Sequence, residues 1–242
     1  MSTAYILIPC YNEEDNIDLL YQNLSQCKIH KEKFYVFVDD GSKDQTVKKI
    51  KDLFKDEPLQ LITKDRNYGP GHSFELGFEW ILSHSADEDD LVITMEADNT
   101  SDLGILQEMI IQTELGRELV LSSVYAAGGR IENIDLGRRV LSYLANRFFR
   151  FFFDIRVLTL SSFYRVYSLS LLRKIQGRYP KIIEENGFIC MLEILIKAIR
   201  QKAIIAEVPM ILDSNKRRGT SKMDILKTTF HYLRFLFKRK DL

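Results

Sequence analysis

Residues 4–16 read AYILIPCYNEEDN, and residues 34–46 read FYVFVDDGSKDQT. Each is an apolar run of strand length that ends in a polar, turn-marked loop and then takes up helical spacing. The first run, 4–9, leads into a helix opened by Asn12-Glu13-Glu14 and reaching about Cys27. The second, 34–39, leads into a helix over 44–54 with Ser42 or Asp44 as its N-cap. Outward from these two units the pattern repeats. Strands are expected over 59–63, 91–95 and 119–123, and helices over 71–82 and from Ser101 or Asp102 onward. Continuous apolar strands alternating with helices mean an α/β fold with a mostly parallel sheet covered on both faces.

The second half has another texture. A helix rich in Arg and Phe is expected over 136–153, a strand over 161–167, a helix over 187–200 and a strand over 203–212. A last amphipathic helix is expected over 223–238. The simplest division is one domain over 1–212, followed by a basic loop and C-terminal helix over 213–242 that packs on it or on a membrane surface. No internal repeat or low-complexity tract interrupts this plan.

Composition narrows the classes. Hydrophobic residues make up 45% and charged residues 28%, which excludes a disordered or fibrous chain. Cys10, Cys27 and Cys190 are odd in number and far apart, so neither a disulfide framework nor a metal knuckle is indicated and a reducing compartment is favoured. The N-terminus lacks the basic segment of a signal peptide. The greasiest stretch, 140–158, is broken by Arg147, Arg150, Asp154 and Arg156, which argues against a spanning helix. Net charge is zero, yet residues 1–129 carry 11 Lys and Arg against 24 Asp and Glu, while the remainder carries 23 against 10. A basic second half calls for an anionic partner or for pairing with the acidic half. A nucleic-acid partner is excluded on two grounds: no recognition motif is present, and the first half is acidic.

In an open parallel sheet, ligands bind beyond the carboxyl ends of the strands. Four successive strands here end in Pro9-Cys10-Tyr11-Asn12-Glu13-Glu14, Asp39-Asp40-Gly41-Ser42, Lys64 to Gly71, and Glu96-Ala97-Asp98-Asn99-Thr100. No G-x-G-x-x-G turn follows the first strand and no P-loop is present, so a dinucleotide-dependent dehydrogenase and a P-loop NTPase are both set aside. Glu96-x-Asp98 offers two carboxylates in one tight loop, which can hold a single hard cation that bridges diphosphate oxygens.

Taken in order, ILIPCYNEEDNI, FVDDGSKDQT, RNYGPGHSFELGF, EADNTSD, SSFYRVY and RRGTSKM resemble the motifs of the family 2 glycosyltransferases over nearly the whole chain. Within them the likeness is greatest to the dolichol- or polyprenyl-phosphate mannosyltransferase and glucosyltransferase branch. The resemblance implies a GT-A fold, an inverting displacement, a nucleotide-diphosphate sugar donor and Mg²⁺ or Mn²⁺. It implies that Pro9, Tyr11 and Glu13 line the nucleotide pocket and that Asp39 contacts base or ribose with Asp40 alongside. Glu96, Asp98 and Thr100 would hold the metal, with Asp98 the more direct ligand. Arg138 or Arg139 would reach the diphosphate or acceptor phosphate. Arg165 and Glu193 match an Arg and a Glu of the family's later motifs. Lys216-Arg217-Arg218 with Gly219, Ser221 and Lys222 matches a basic motif that closes over phosphate. Three positions depart from the pattern: Thr100 and Met191 each stand where Gln is usual, and Val124 where Arg is usual.

A hydroxyl acceptor needs a general base, and Glu184-Glu185 is the nearest candidate. A phosphate acceptor is already anionic near neutral pH and needs cations instead, which Arg130, Arg138, Arg139, Arg147, Arg150 and the 216–222 cluster supply. The expected acceptor is therefore a polyprenyl phosphate. The protein would then sit at the cytoplasmic face of a membrane, held peripherally or by a membrane-anchoring subunit. Phe148 to Phe153 around Arg150, and the aromatic residues of 230–237 beside Arg234, Lys238, Arg239 and Lys240, suit interfacial helices. The competing readings are a transferase of the same fold acting on a saccharide hydroxyl, and a non-catalytic subunit that binds nucleotide sugar.

Overall fold

A computed structural model describes residues 2–85, 87–133, 136–219 and Phe235, with the backbone alone described at 136, 138, 139 and 141. The chain runs β1 (Thr3–Cys10), α1 (Glu14–Gln26), β2 (Glu32–Asp39), α2 (Thr46–Leu53), β3 (Leu59–Thr63), α3 (Pro70–His84), β4 (Leu91–Thr94), α4 (Leu106–Glu114) and β5 (Leu119–Ser123). It continues through β6 (Arg130–Glu132), α5 (Leu136–Phe153), β7 (Arg165–Ser168), α6 (Leu169–Arg178), α7 (Cys190–Arg200), β8 (Ile205–Pro209) and β9 (Ile211–Asp213). Short 3₁₀ turns lie at Leu103–Ile105 and Ser214–Lys216.

The main sheet has seven strands in the order β3-β2-β1-β4-β7-β5-β8. All pairings are parallel except those of β7, which is antiparallel to both β4 and β5. Alternation along each strand feeds two cores. From β1, Tyr5 and Leu7 join Phe74, Phe78, Leu172 and Leu195 on the α3, α6 and α7 face. Ala4, Ile6 and Ile8 join Leu20, Phe54 and Met109 on the α1, α2 and α4 face. Both faces of the strands are thus removed from water, which is why they read as unbroken apolar runs. At Gly77 a Cβ would fall 2.2 Å from Leu7 Cδ1, so this glycine lets α3 lie close on β1.

Several expectations shift. The helix after β2 starts at Thr46, and Gln45 at its N-cap makes no side-chain cap bond. Ser42 is spent elsewhere, its Oγ accepting from Asn12 N–H, whereas Asp44 does serve the start of α2 by accepting Thr46 N–H at 3.0 Å and also accepts Glu14 N–H. The strand expected over 203–212 is two strands. Met210 N–H bonds Ser123 O while Met210 O accepts Arg130 N–H, so the chain changes sheets there and β9 pairs with β6. Helix α6 was not expected at all. Ser168 caps it by accepting Leu171 N–H at 3.2 Å. The helix read over 223–238 lies outside the described residues, apart from Phe235, which is buried against Phe153. No helix among the described residues is long and apolar enough to cross a membrane.

Candidate active site

The loops after β1 and β2 are joined to each other by side chains that bond backbone. Asn12 takes a left-handed φ of 51°, its N–H donates to Ser42 Oγ at 2.8 Å, and its Oδ1 accepts Lys43 N–H at 2.8 Å. Glu13 N–H donates to Thr46 Oγ1 at 2.8 Å, and Gln45 N–H to Glu14 Oε2 at 2.7 Å. Cys10 and Asp39 are paired in register. Pro9, Tyr11, Glu13 and Asp39 therefore come to one edge. Asp39 is buried and accepts Ser42 N–H at 3.1 Å.

Asp40 has other work. Its two oxygens accept the N–H groups of Tyr68 and Gly69, each at 2.8 Å, and Lys64 Nζ lies 2.6 Å away. A carboxylate that satisfies two amides and an ammonium fixes the loop after β3 and is saturated by doing so. Gly41, at φ 74°, lets the 39–42 loop pass against Arg66, whose backbone would lie 2.6 Å from a Cβ.

The acid-x-acid loop follows β4. Asp98 Oδ1 accepts Thr100 N–H at 3.0 Å and Thr100 Oγ1 at 2.6 Å. Asp98 Oδ2 is paired with the Arg217 guanidinium through Nε and Nη2. Burial, and then the neighbouring Asp98 charge, raise the Glu96 carboxyl above its usual range against the pull of Arg217; Glu13 adds to the rise. The buried Asp98, the half-buried Glu96 and a hydroxyl form an all-oxygen donor set that fits a hard divalent cation, and a positive charge already stands at Asp98 Oδ2. Among the described residues no third acidic, His or Cys ligand completes a protein-only cage, so most of the coordination sphere would come from diphosphate and water.

Arg217 belongs to a strap at the end of the described chain. Asp213 caps its 3₁₀ turn by accepting Asn215 N–H at 3.0 Å and is itself held by Asn133 Nδ2 at 2.7 Å. The next residue, Arg218, bonds Asn16 through both its N–H and its C=O. Lys216 is on the same turn and exposed. Lys222 and the side chains of Arg138 and Arg139 lie outside the described residues.

Arg165 and Glu193 are corrected. Arg165 is fully buried, and its nitrogens donate to the carbonyls of Ser162 (2.8 Å), Met191 (2.8 Å) and Leu160 (2.7 Å). It ties β7 to the first turn of α7 and presents no donor to a cleft. Glu193 is equally buried. It accepts Glu184 N–H and Glu185 N–H at 2.9 Å and pairs with Lys197 Nζ at 2.7 Å. It holds the 184–185 backbone in place.

The sequence reading missed three such loop holders. Lys197 also donates to Lys181 O and Ile182 O. Glu75 accepts Ile182 N–H at 3.2 Å and Ile183 N–H at 2.6 Å, and burial lifts its carboxyl to about 7. Glu207 accepts Leu158 N–H and Thr159 N–H at 2.8 and 2.9 Å. The 181–186 segment then meets the loop after β3. Gly71 N–H bonds Asn186 O at 2.8 Å, and a Cβ at Gly71 would fall 1.8 Å from Glu185 O. The only sequence signal for these holders is a charged residue within an otherwise apolar stretch, on a helix for Glu75 and Lys197 and on strand β8 for Glu207.

A mostly parallel sheet with its acidic loops gathered at the carboxyl edge is here the frame of a glycosyltransferase. Residues 5–176 match Glycosyl transferase family 2, and the chain belongs to that family. Among its curated relatives is the polyprenol monophosphomannose synthase of Mycolicibacterium smegmatis, 26% identical over 222 residues that span 90% of this chain and 80% of the relative. Another is the dolichol-phosphate mannosyltransferase of Pyrococcus furiosus, 28% identical over 241 residues; the match spans 96% of this chain and 62% of that longer protein. Among solved structures, glucosyl-3-phosphoglycerate synthase from Mycobacterium tuberculosis, in complex with Mn²⁺, uridine diphosphate and glucosyl-3-phosphoglycerate, superposes with a TM-score of 0.64. That comparison covers 94% of this chain and 75% of the other at 16% identity, and it establishes the shared fold.

Proposed function

We propose that this glycosyltransferase moves a hexose from a nucleotide-diphosphate sugar to a polyprenyl phosphate, with inversion and with Mg²⁺ or Mn²⁺, at the cytoplasmic face of a membrane. The observation that carries the reading is the convergence of Glu13, Asp39, Glu96, Asp98 and Arg217 on one sheet edge, where acidic loops and a single strap guanidinium face each other. The 10–14 and 39–42 loops would seat the nucleoside. Glu96, Asp98 and Thr100 would hold the cation, which when bound neutralises charge on the departing diphosphate. Arg217 is placed to share that charge as the sugar–phosphate bond lengthens. An acceptor phosphate oxygen forms the new bond to the anomeric carbon, and the nucleoside diphosphate leaves with the electron pair of the bond it breaks. No proton need move, since the acceptor oxygen is already anionic.

The lipid acceptor is supported by the activities for which the two relatives are named and by α5. Leu144, Phe148 and Phe151 form an exposed apolar groove with Arg147 and Arg150 at its sides. A phosphate on an isoprenoid chain has the matching chemistry, and the same face suits a membrane surface or a membrane-anchoring subunit. The cytoplasmic side is supported by three cysteines of which none is in a disulfide.

Purified protein given GDP-mannose, UDP-glucose, UDP-galactose or UDP-GlcNAc with Mn²⁺ and a short polyprenyl phosphate is expected to form a lipid-linked sugar from one of them. Asp98→Ala should abolish it. Transfer to saccharides or alcohols but never to the lipid phosphate would overturn the acceptor. Nucleotide-sugar binding without transfer to any acceptor would overturn the catalytic reading.

A further inference from the structure

Asn16 lies in the first turn of α1 and is buried. Its Oδ1 accepts Arg218 N–H at 2.9 Å, and its Nδ2 donates to Arg218 O at 3.1 Å and to Glu13 Oε2 at 2.6 Å. Its main-chain carbonyl accepts Asn99 Nδ2 at 3.1 Å. One residue therefore touches the loop after β1, the acidic loop after β4 and the strap.

The chemistry of the contact is specific. A carboxamide sets one acceptor and one donor side by side, so it can pair with the N–H and C=O of a single residue much as a neighbouring strand would. Asn16 reads the peptide group at 218 and is indifferent to the side chain there. The strap thus has two fixed points, the Asp213 cap at its base and Asn16 at its far end, with Arg217 between them on Asp98. A long, partly exposed side chain pairing with a carboxylate holds its own backbone loosely. The backbone clamp is what sets where the guanidinium arrives.

We propose that Asn16 is a positioning residue of the donor site: by docking the peptide group of residue 218 it seats the basic strap, and with it Arg217, over the Glu96–Asp98 loop. This rests on the reading of that edge as the donor site and adds to it the residue that registers the strap. The acceptor side should be untouched by loss of the clamp.

Two variants test it from opposite sides. Asn16→Ala removes the clamp from α1. Arg218→Pro removes the N–H that Asn16 accepts, at an exposed position whose preceding residue, Arg217, already has the extended φ of −72° and ψ of 129° that a following proline demands. Asn16→Ala against wild type, and Arg218→Pro against Arg218→Ala (which loses the same cation but keeps the N–H), are each expected to raise KM for the nucleotide sugar about tenfold, the scale of one or two net hydrogen bonds, with KM for the lipid phosphate within about twofold of the respective reference. Hydrogen exchange of the 214–219 amides should accelerate in Asn16→Ala. A donor KM in Arg218→Pro no higher than in Arg218→Ala, or unchanged exchange in Asn16→Ala, would overturn the proposal. So would equal rises in both KM values, which would mark Asn16 as structural only. If Asn16→Ala fails to fold, Arg218→Pro alone decides. A wild-type protein that binds no nucleotide sugar would instead remove the donor reading itself, and the exchange comparison would then test the clamp by itself.

Discussion

The loops at the carboxyl edge and the outer face of α5 treat their side chains in opposite ways. At the edge several carboxylates are consumed within the fold: Asp40 by Tyr68, Gly69 and Lys64, Glu75 by Ile182 and Ile183, Glu193 by Glu184, Glu185 and Lys197. On α5, Tyr143, Leu144, Phe148 and Phe151 are left facing out. The contrast separates residues that place a site from residues that meet a surface. An acidic composition in the first half is thus partly a scaffold of carboxylates bound to amides, and only a subset of it is available to a ligand.

The sharpest way to break the contrast is at Asp98, one of the two edge carboxylates proposed to hold the cation. Asp98→Ala is expected to cut lipid-linked transfer by about a thousandfold and to cost about 1–3 kcal/mol of stability, because the buried carboxylate also holds Thr100 N–H and Oγ1. A structural carboxylate should show the larger loss of stability. Lys197→Ala strands the buried Glu193 charge and is expected to cost about 3–5 kcal/mol in urea unfolding, and Lys197→Met should do no better, since the charge is still uncompensated.

Glu75 sharpens the comparison through pH. Its carboxyl is raised to about 7 from 4.5, so between those values the unfolded chain holds fewer protons than the folded one. Stability should therefore fall as pH rises from about 4.5 to about 7 and level off above, by up to roughly 3 kcal/mol. Glu75→Gln should flatten that part of the stability curve. A slope that persists in the variant would assign it to another group. The smallest effect belongs to α5. Phe148→Ser with Phe151→Ser, the latter 88% exposed, is expected to alter stability by less than about 0.5 kcal/mol yet reduce pelleting with anionic vesicles severalfold. A loss of stability instead would place these rings in the core.

The sequence was legible wherever burial imposed a period. The strands at 59–63 and 119–123 were read to the residue, and those starting at 4 and 34 fell inside β1 and β2. It was not legible where partners are distant and elements short. β6 and β9 have three residues each, and Arg130 meets Ile211 without any local pattern. Helix α6 carried a readable cap at Ser168 and leucines at helical spacing, and was missed between two stronger signals. At the site, the acidic edge and the strap were visible as motifs. The duties of Asp40, Glu193 and Arg165 were not, because a side chain that bonds backbone amides or carbonyls leaves no complementary residue to find. Asn16 belongs to the same class: its partner at 218 is a peptide group.

The position of β7 between β4 and β5 sets an order of events during synthesis. β3, β2, β1 and β4 can pair as soon as Leu91–Thr94 has left the ribosome, but β5 touches β4 only through β7. From the emergence of Leu119–Ser123 until that of Arg165–Ser168, a fully buried apolar strand has no ladder to join, and β4 presents an open edge. That interval includes all of α5 with its outward aromatic residues. The nascent chain is thus at its stickiest during that interval, when the acidic edge is already built and the strap that covers it has not yet been made.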